Sequence, residues 1–259
     1  MAAIDAAPGE AVYLYCFTSA GLPPPQAPGV DGDPLAVHPT AGLAAVVGRV
    51  ALAEFVGEAG ENHLQDIGWL GPRACRHAAV VEQAMAAGPV YPLPFGTLFS
   101  SLAALDQEAE RRRAEIAAVL RQVEGCEEWS VEGTLDRKQA VEYQLEAGLR
   151  SGDYVLPESI GRRHLEEQKL RRAIASGLNA WLEPQLADIQ QTLSATSRDW
   201  RPRRLRDETV LHWAYLVPVE HAAAFGQAVA ALGERHERHG LRFRLSGPWP
   251  PYTFAQAAP

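Results

Sequence analysis

The C-terminal part of the chain constrains the fold most, because a strand, a helix and a second strand follow one another there. Residues 209–217 (TVLHWAYLV) are rich in β-branched and aromatic residues, which favour a strand. Residues 219–238 carry apolar side chains at helical spacing and end before Gly240, a residue typical of helix ends. Residues 241–245 alternate apolar side chains with arginine, as a half-buried strand does. This order predicts a mixed α+β fold.

Strands and helices also alternate in the preceding part of the chain, from residue 128 onwards. A strand is predicted over 128–135, and helices over 137–150 and 160–176, the second continuing past Pro184. Residues 194–206 are polar and contain five arginines, so we interpret them as an exposed linker or loop. Alternatively, the arginines at 201–206 could bind an acidic protein partner or phosphate, although the acidity of the chain argues against nucleic acid. The order strand, helices, strand, helix, strand is typical of a ferredoxin-like sheet with an inserted helical region.

The predicted fold class is therefore α+β with two domains. The first 124 residues show strands near 11–18, 35–38, 42–47 and 90–93, with helices over 69–87 and from Ser100 or Ser101 onwards. We predict an N-terminal α+β domain over 1–124. The C-terminal ferredoxin-like domain is predicted over 125–259, with its helical extension at about 136–197. Its proline- and aromatic-rich tail, 247–254, is expected to be extended, since proline disfavours helix.

Composition excludes several classes of function. The 259 residues contain 24 basic and 32 acidic side chains, a net charge of −8, which disfavours general nucleic-acid binding. No apolar run approaches the 18 or more residues that a membrane span needs, and the N-terminus lacks the basic start of a secretory signal. Three widely spaced cysteines favour reduced thiols. We expect a cytoplasmic protein with no membrane partner.

Residues that could carry chemistry do not form a recognisable site. No phosphate-binding loop or nucleophile motif is present, and no cofactor is predicted. His236 and His239 could share a helix face, but the helix dipole alone favours histidine at that end. Cys75 and His77 should diverge on their helix. The paired carboxylates at 127–128 and 166–167 are expected to lie in solvent. We predict no catalytic or metal residue.

Two segments are unusual for plain scaffolding: residues 90–99 (VYPLPFGTLF) and residues 247–254 (GPWPPYTF). Their aromatic rings could simply pack on a sheet and fix the end of a strand. Alternatively, a segment stiffened by proline loses little entropy on binding, and aromatic rings dominate the energy of many interfaces. The predicted partner-binding residues are Tyr91, Phe95, Phe99, Trp249, Tyr252 and Phe254.

These segments belong to an ordered set of motifs through which the sequence resembles the gas vesicle protein F/L family. The set comprises VYLY at 12–15, WL at 69–70, HAAV at 77–80, PLPFGTLF at 92–99, EWSV at 128–131, YLV at 215–217 and GPWPPYTF at 247–254. The sequence departs from the family pattern at Pro94, where members usually have arginine, and at Glu132, where they usually have lysine. Both departures remove positive charge, which puts in doubt any partner contact that the family makes there.

The resemblance implies a non-enzymatic, two-domain α+β protein of gas vesicle assembly that needs no cofactor. Family members are accessory or minor components, thought to bind the small hydrophobic shell protein and to act with other accessory proteins. One rival is a purely structural shell component. Another is a small-molecule enzyme or ligand-binding module, because ferredoxin-like domains host many functions. That rival requires a pocket with convergent polar groups.

Overall fold

The computed structural model describes residues 5–206 and 208–255, which divide into two compact units. The first unit contains the described residues up to Glu128 and again from Pro248, and the second contains Trp129–Gly247. Strand β6 therefore begins in the first unit, and strand β9 returns the chain to it. The α+β class predicted from the sequence is confirmed.

Nine strands and seven α-helices are present in the described residues. The strands are β1 (Glu10–Ser19), β2 (Ala36–Thr40), β3 (Leu43–Ala51), β4 (Val90–Pro92), β5 (Leu98–Phe99), β6 (Cys126–Leu135), β7 (Asp199–Pro202), β8 (Thr209–Pro218) and β9 (Leu241–Trp249). The helices are α1 (Gly57–Gln65), α2 (Ile67–Ala87), α3 (Leu102–Val123), α4 (Arg137–Ser151), α5 (Ile160–Ser194), α6 (Ala222–His236) and α7 (Tyr252–Ala255). Short 3₁₀ turns flank some of them, one of which spans Leu52–Glu54.

The first unit is built around β1, which is buried on both faces. Its sheet has the order β2-β3-β1-β4, with β5 also paired to β1. Val12 and Leu14 belong to one apolar cluster, which includes residues of α3, while Tyr13 and Tyr15 belong to another, which includes residues of α2. The register with β3 shifts between Leu14 and Cys16. Such a bulge explains why Phe17, at an odd position, joins the cluster of Val12 and Leu14.

Local capping sets the starts of the two long helices of this unit. The Ser101 hydroxyl accepts a hydrogen bond from the Ala104 amide at 3.2 Å, which confirms one of the two predicted caps of α3. Helix α2 starts at Ile67, two residues earlier than predicted, because Asp66 caps it by accepting from the Gly68 amide at 2.8 Å. Pro72 therefore lies inside the helix rather than in its first turn.

The second unit places α5 and α6 against a sheet of order β7-β8-β6-β9. Its core combines Val131 and Tyr215 from the sheet with Leu182 and Ile189 from α5 and Phe225 from α6. The two predicted helical segments after β6 are confirmed, and α5 runs through Pro184 as one helix of 35 residues. A smaller apolar cluster joins α4 to the middle of α5.

Two local predictions are wrong, and one element was not predicted. Helix α1 lies in a stretch for which no element was predicted, because its two glycines hide the periodicity. The expected linker at 194–206 contains β7, which is held by antiparallel pairing to β8. The tail is not wholly extended, because β9 continues to Trp249 and α7 follows it.

Candidate functional site

The tail folds because its prolines precede the helix rather than interrupt it. Pro250 and Pro251 lie immediately before α7, where a missing amide hydrogen breaks no helical bond. The Pro251 carbonyl accepts from the amides of Phe254 and Ala255 at 3.1 and 3.0 Å. This short helix turns the last described residues onto the first unit, in which both Phe254 and Ala255 are buried.

A histidine in α2 links the tail to the central strand. The Tyr252 hydroxyl lies 3.1 Å from Nε2 of His77, and Nδ1 of the same ring lies 2.9 Å from the Tyr13 hydroxyl. The Tyr13 oxygen also accepts from the Gly96 amide at 3.0 Å. Burial lowers the pKa of His77 to about 4, so the ring is neutral at pH 7 and donates from one nitrogen while accepting at the other. We call these three side chains the Tyr-His-Tyr relay.

A buried carboxylate holds the tail at a second point. Glu128 is 1 % exposed, and its two oxygens accept from the Thr253 amide at 2.9 Å and the Thr253 hydroxyl at 2.8 Å. The prediction that this carboxylate lies in solvent is therefore wrong. Its neighbour Glu127 is half-buried and lies on the other face of the strand. The position of Glu128 follows from a partner 125 residues away along the chain.

Phe95 joins a cluster of aromatic rings around the relay. Its ring centroid lies 5.9 Å from that of His77 and 6.0 Å from that of Tyr13. Phe55 and Trp69 complete the cluster at 6.1 and 6.4 Å from Phe95. Edge-to-face packing of this kind stabilises aromatic groups beyond the area they bury. Phe95 is therefore half-buried in a structural cluster.

Tyr91 and Phe99 also pack inward. Tyr91 is buried in β4, donates from its hydroxyl to Glu115 at 3.1 Å and accepts a hydrogen bond from Arg112. This contact explains why an arginine occupies the otherwise apolar stripe of α3. Phe99 is half-buried in β5 and packs on the apolar cluster of Val12.

Trp249 is the predicted binding residue that remains most accessible, with 45 % of its surface exposed. The structure thus brings Tyr252 and Phe95 together around His77, buries Tyr91 and Phe254, and leaves Trp249 at the surface. Partner binding by the six residues stays a prediction.

Other clusters of reactive side chains are incomplete. His236 and His239 approach with their Nδ1 atoms 3.1 Å apart, and within the described residues no three potential ligands gather for a metal ion. Burial lowers the pKa of both rings. Cys75 is exposed whereas His77 is buried, as their spacing predicted.

An open cavity of about 580 Å³ lies in the second unit. It is lined by the ends of β6 and β8, by Arg242 and by the start of α4. Asp136, in its wall, is engaged as the cap of α4 and accepts from the Gln139 amide at 3.0 Å. No helix in the described part of the chain is both long and apolar enough to cross a membrane.

A surface that the sequence analysis missed lies around α1. Leu52, Val56, Leu64 and Ile67 are all exposed there. In the sequence these four apolar residues stand among carboxylates and recur at neither helical nor strand spacing. Periodicity therefore does not reveal them.

Comparison with known proteins decides the family. The family model described as "Gas vesicle synthesis protein GvpL/GvpF" matches residues 11–256. The chain belongs to the GvpL/GvpF family. The resemblance stated from the ordered motifs is therefore confirmed, and the match ends beyond the anchored tail.

Individual relatives of this GvpL/GvpF chain support the assignment along most of their length. Gas vesicle protein L of Streptomyces sp. (strain CB03234) is 27 % identical over 95 % of this chain and 93 % of its own. Gas vesicle protein F of the same strain is 25 % identical over 94 % of this chain and 99 % of its own. The crystal structure of GvpF from Microcystis aeruginosa covers 95 % of this chain and 99 % of its own with a TM-score of 0.67 at 20 % identity. The crystal structure of GvpF from Anabaena sp. PCC7120 covers 96 % of this chain and 97 % of its own, with a TM-score of 0.65 at 20 % identity. These two structures establish the fold.

The two departures from the family pattern have different settings in the structure. Glu132 accepts from Arg244 at 2.6 Å and lies 3.6 Å from His212, and the hydrogen bond from Arg244 lowers its pKa. It therefore forms an ion pair within its own sheet. Pro94 is exposed, and its carbonyl accepts from the Thr97 hydroxyl at 2.7 Å.

Proposed function

We propose that this GvpL/GvpF protein is an accessory or minor structural protein of gas vesicle formation that binds the hydrophobic shell protein and acts with other accessory proteins. The family match over residues 11–256 carries this proposal. A non-enzymatic role agrees with it, since the family description refers to gas vesicle synthesis and names no reaction. A cytoplasmic location, in association with the vesicle, is part of the same proposal.

We further propose that the second domain is ferredoxin-like, with the α4–α5 hairpin as its insertion. The chain order β6, α4–α5, β7, β8, α6, β9 and the sheet order β7-β8-β6-β9 support this assignment. The proposed domains remain 1–124 and 125–259. The hydrogen bonds of Tyr252 to His77 and of Thr253 to Glu128 lie within the first compact unit.

The mode of binding that we favour is contact through apolar side chains rather than strand addition. The strands at the two ends of each sheet order carry a proline, whereas the two-residue β5, which also pairs with β1, does not: the prolines are Pro39 in β2, Pro92 in β4, Pro202 in β7 and Pro248 in β9. Proline removes the amide that an added strand needs, and natural proteins protect their sheet edges in this way. A chaperone-like partner of a strand-rich shell subunit benefits from edges that do not pair with its client.

Among the six predicted residues, we propose Trp249 as the direct contact and the other five as the support that holds it. Its exposure and its position just before the anchored helix α7 support this role. A rigid support reduces the entropy that an exposed aromatic side chain loses on binding.

A shell-protein pull-down tests the proposal. The immobilised chain should retain shell protein, and folded Trp249→Ala should retain less of it, because aromatic anchors carry much of the energy of an interface. Leu205→Ala, which truncates another exposed apolar side chain, serves as the matched control. Absence of retention by the unaltered chain would contradict direct binding. If Trp249→Ala retains as much shell protein as the unaltered chain does, the tail has a structural role only and Trp249 is not the contact.

A further inference from the structure

The surface around α1 combines exposed apolar side chains with acidic ones. Between residues 52 and 67, Leu64 is 53 % exposed and Ile67 is 81 % exposed. The same stretch contains Glu54, Glu58, Glu61 and Asp66, and neither lysine nor arginine. We call residues 52–67 the acidic apolar patch. Exposed apolar side chains grouped in this way mark interaction sites more often than scattered ones do.

Polar and aromatic contacts order this patch. His63, in the last turn of α1, hydrogen bonds through Nδ1 to the Glu54 carbonyl at 2.9 Å. Its ring stacks on Trp69, with centroids 4.7 Å apart and an interplanar angle of 6°, and Trp69 donates from Nε1 to the Glu54 carboxylate at 3.2 Å. The 3₁₀ turn, α1 and the start of α2 are thereby joined. Leu64 and Ile67 lie beside this junction in the chain.

Leu64 and Ile67 belong to none of the described apolar core clusters, whereas Phe55, in the same stretch, packs against the cluster of Tyr13. Within α1 only Gly60 is buried, and a Cβ at that position would lie 2.4 Å from the Phe55 carbonyl carbon. Glycine is therefore required for the close approach of α1 to the preceding turn. Leu64 faces outward instead of filling the interface that Gly60 makes. Helix α1 is thus held against the preceding turn by the close backbone approach at Gly60, and it exposes Leu64 to solvent.

Charge decides what fits the patch. Four carboxylates in a stretch without lysine or arginine disfavour nucleic acid and anionic lipid surfaces, and they attract lysine and arginine. His63, 3.6 Å from the Glu54 carboxylate, is the one histidine of the stretch. The other exposed apolar group, Val155, Ile160 and Leu165, lies among charges of both signs. Arg150, Arg162 and Arg163 are close in sequence there to Asp153, Glu158, Glu166 and Glu167. An exposed apolar surface bordered by carboxylates is complementary to an amphipathic helix that has one apolar face with lysine or arginine along its border.

We propose that the acidic apolar patch is a docking surface for a basic amphipathic helix of a protein partner. This inference rests on the proposed function in that the partner is a gas vesicle protein. It differs from the proposal for Trp249, because it names a different surface and a definite partner chemistry. The apolar face of the partner covers Leu64 and Ile67, and its basic border meets Glu58 and Glu61.

Peptide binding to the full chain tests the inference. The probe is a fluorescently labelled amphipathic helical peptide of leucine and lysine, and a leucine–glutamate peptide of the same pattern is its control. The lysine peptide should bind, and the glutamate peptide should not. Leu64→Gln plus Ile67→Gln should weaken binding by about tenfold or more, because the variant removes two apolar contacts. Val155→Gln plus Ile160→Gln is the matched control and should leave binding unchanged.

Charge removal provides a second readout. Glu58→Gln plus Glu61→Gln should weaken binding at low salt and have little effect at about 1 M salt, where the screening length is about 3 Å. Equal binding of both peptides, or equal losses in the patch and control variants, would overturn the inference. Two results together would overturn this inference and leave the proposed function standing. The shell protein would co-purify undiminished with folded Leu64→Gln plus Ile67→Gln, and the lysine peptide would not bind the unaltered chain.

Discussion

The Tyr-His-Tyr relay brings together residues that lie far apart in the sequence. The hydrogen-bond partners of His77 in this relay are not local, since Tyr13 and Tyr252 lie 64 and 175 positions away from it in the sequence. Buried polar groups of this kind must be hydrogen-bonded, because an unpaired one costs about 1–3 kcal/mol. The relay therefore selects one position for Tyr252 and, with it, for the tail.

The buried imidazole of His77 makes stability depend on pH. Its pKa falls from 6.5 to about 4 on folding, so the unfolded chain binds more protons between these values. Folding stability should therefore decrease as the pH falls from about 6.5 to about 4, by about 3 kcal/mol from this residue. Denaturant unfolding at several pH values measures this loss. His77→Gln, which keeps a hydrogen-bonding side chain but does not titrate, should flatten the dependence over that range. An unchanged slope would contradict the role assigned to His77.

Glu128 and Glu127 provide a matched pair of substitutions on one strand. Glu128→Gln replaces one of the two oxygens that Thr253 uses, so we expect a loss of about 1–3 kcal/mol in the free energy of unfolding. Glu127→Gln should change it by less than about 0.5 kcal/mol. Chemical denaturation of both variants checks the prediction. Similar effects of the two substitutions would show that the contact of Glu128 with the tail is of no special importance.

At the scale of elements, the tail contains a buried anchor and an exposed neighbour. Phe254→Ala should cost about 3–5 kcal/mol, because it leaves a cavity in the core. Trp249→Ala should cost much less, since nearly half of that side chain is exposed. Equilibrium unfolding separates the two effects. Equal losses would mean that Trp249 is a core residue and unsuited to the contact proposed for it.

Elements with a strong local pattern were predictable, and those defined by distant partners were not. The strands β1 and β8 and the helices α2 and α3 follow from periodicity and capping. Strand β7 exists because β8 pairs with it, although its four residues include only one apolar side chain other than proline, that of Trp200. Helix α7 depends on contacts with residues more than a hundred positions away. Interpretation of one segment at a time misses such elements.

The contacts of the candidate site depend on distant partners in the same way. The two aromatic, proline-rich segments were singled out as candidates for partner binding, which stays a prediction, and the structure brings Phe95 and Tyr252 to the same residue, His77. Their burial could not be derived from the sequence, because a ring that packs in a core and a ring that binds a partner follow the same pattern. The acidic apolar patch was missed, since its residues have no regular period.

At the scale of the whole molecule, the acidic chain, the prolines of its outermost strands and its exposed apolar groups fit one function. A protein that accompanies a hydrophobic, strand-forming subunit must contact apolar surface without aggregating. Under the proposed function, a net charge of −8 opposes self-association, and the prolines in β2, β4, β7 and β9 disfavour pairing with the subunit. The proposed binding of the shell subunit then relies on a few exposed apolar side chains.

Co-expression with the small shell protein of the same gene cluster tests this account most directly. The measurement is the amount of shell protein that stays soluble and co-purifies with the chain. The account predicts soluble, co-purifying shell protein, in greater yield than when the shell protein is expressed alone. If the shell protein aggregates to the same extent and none co-purifies, the chain does not bind free shell subunits, and the central claim is wrong.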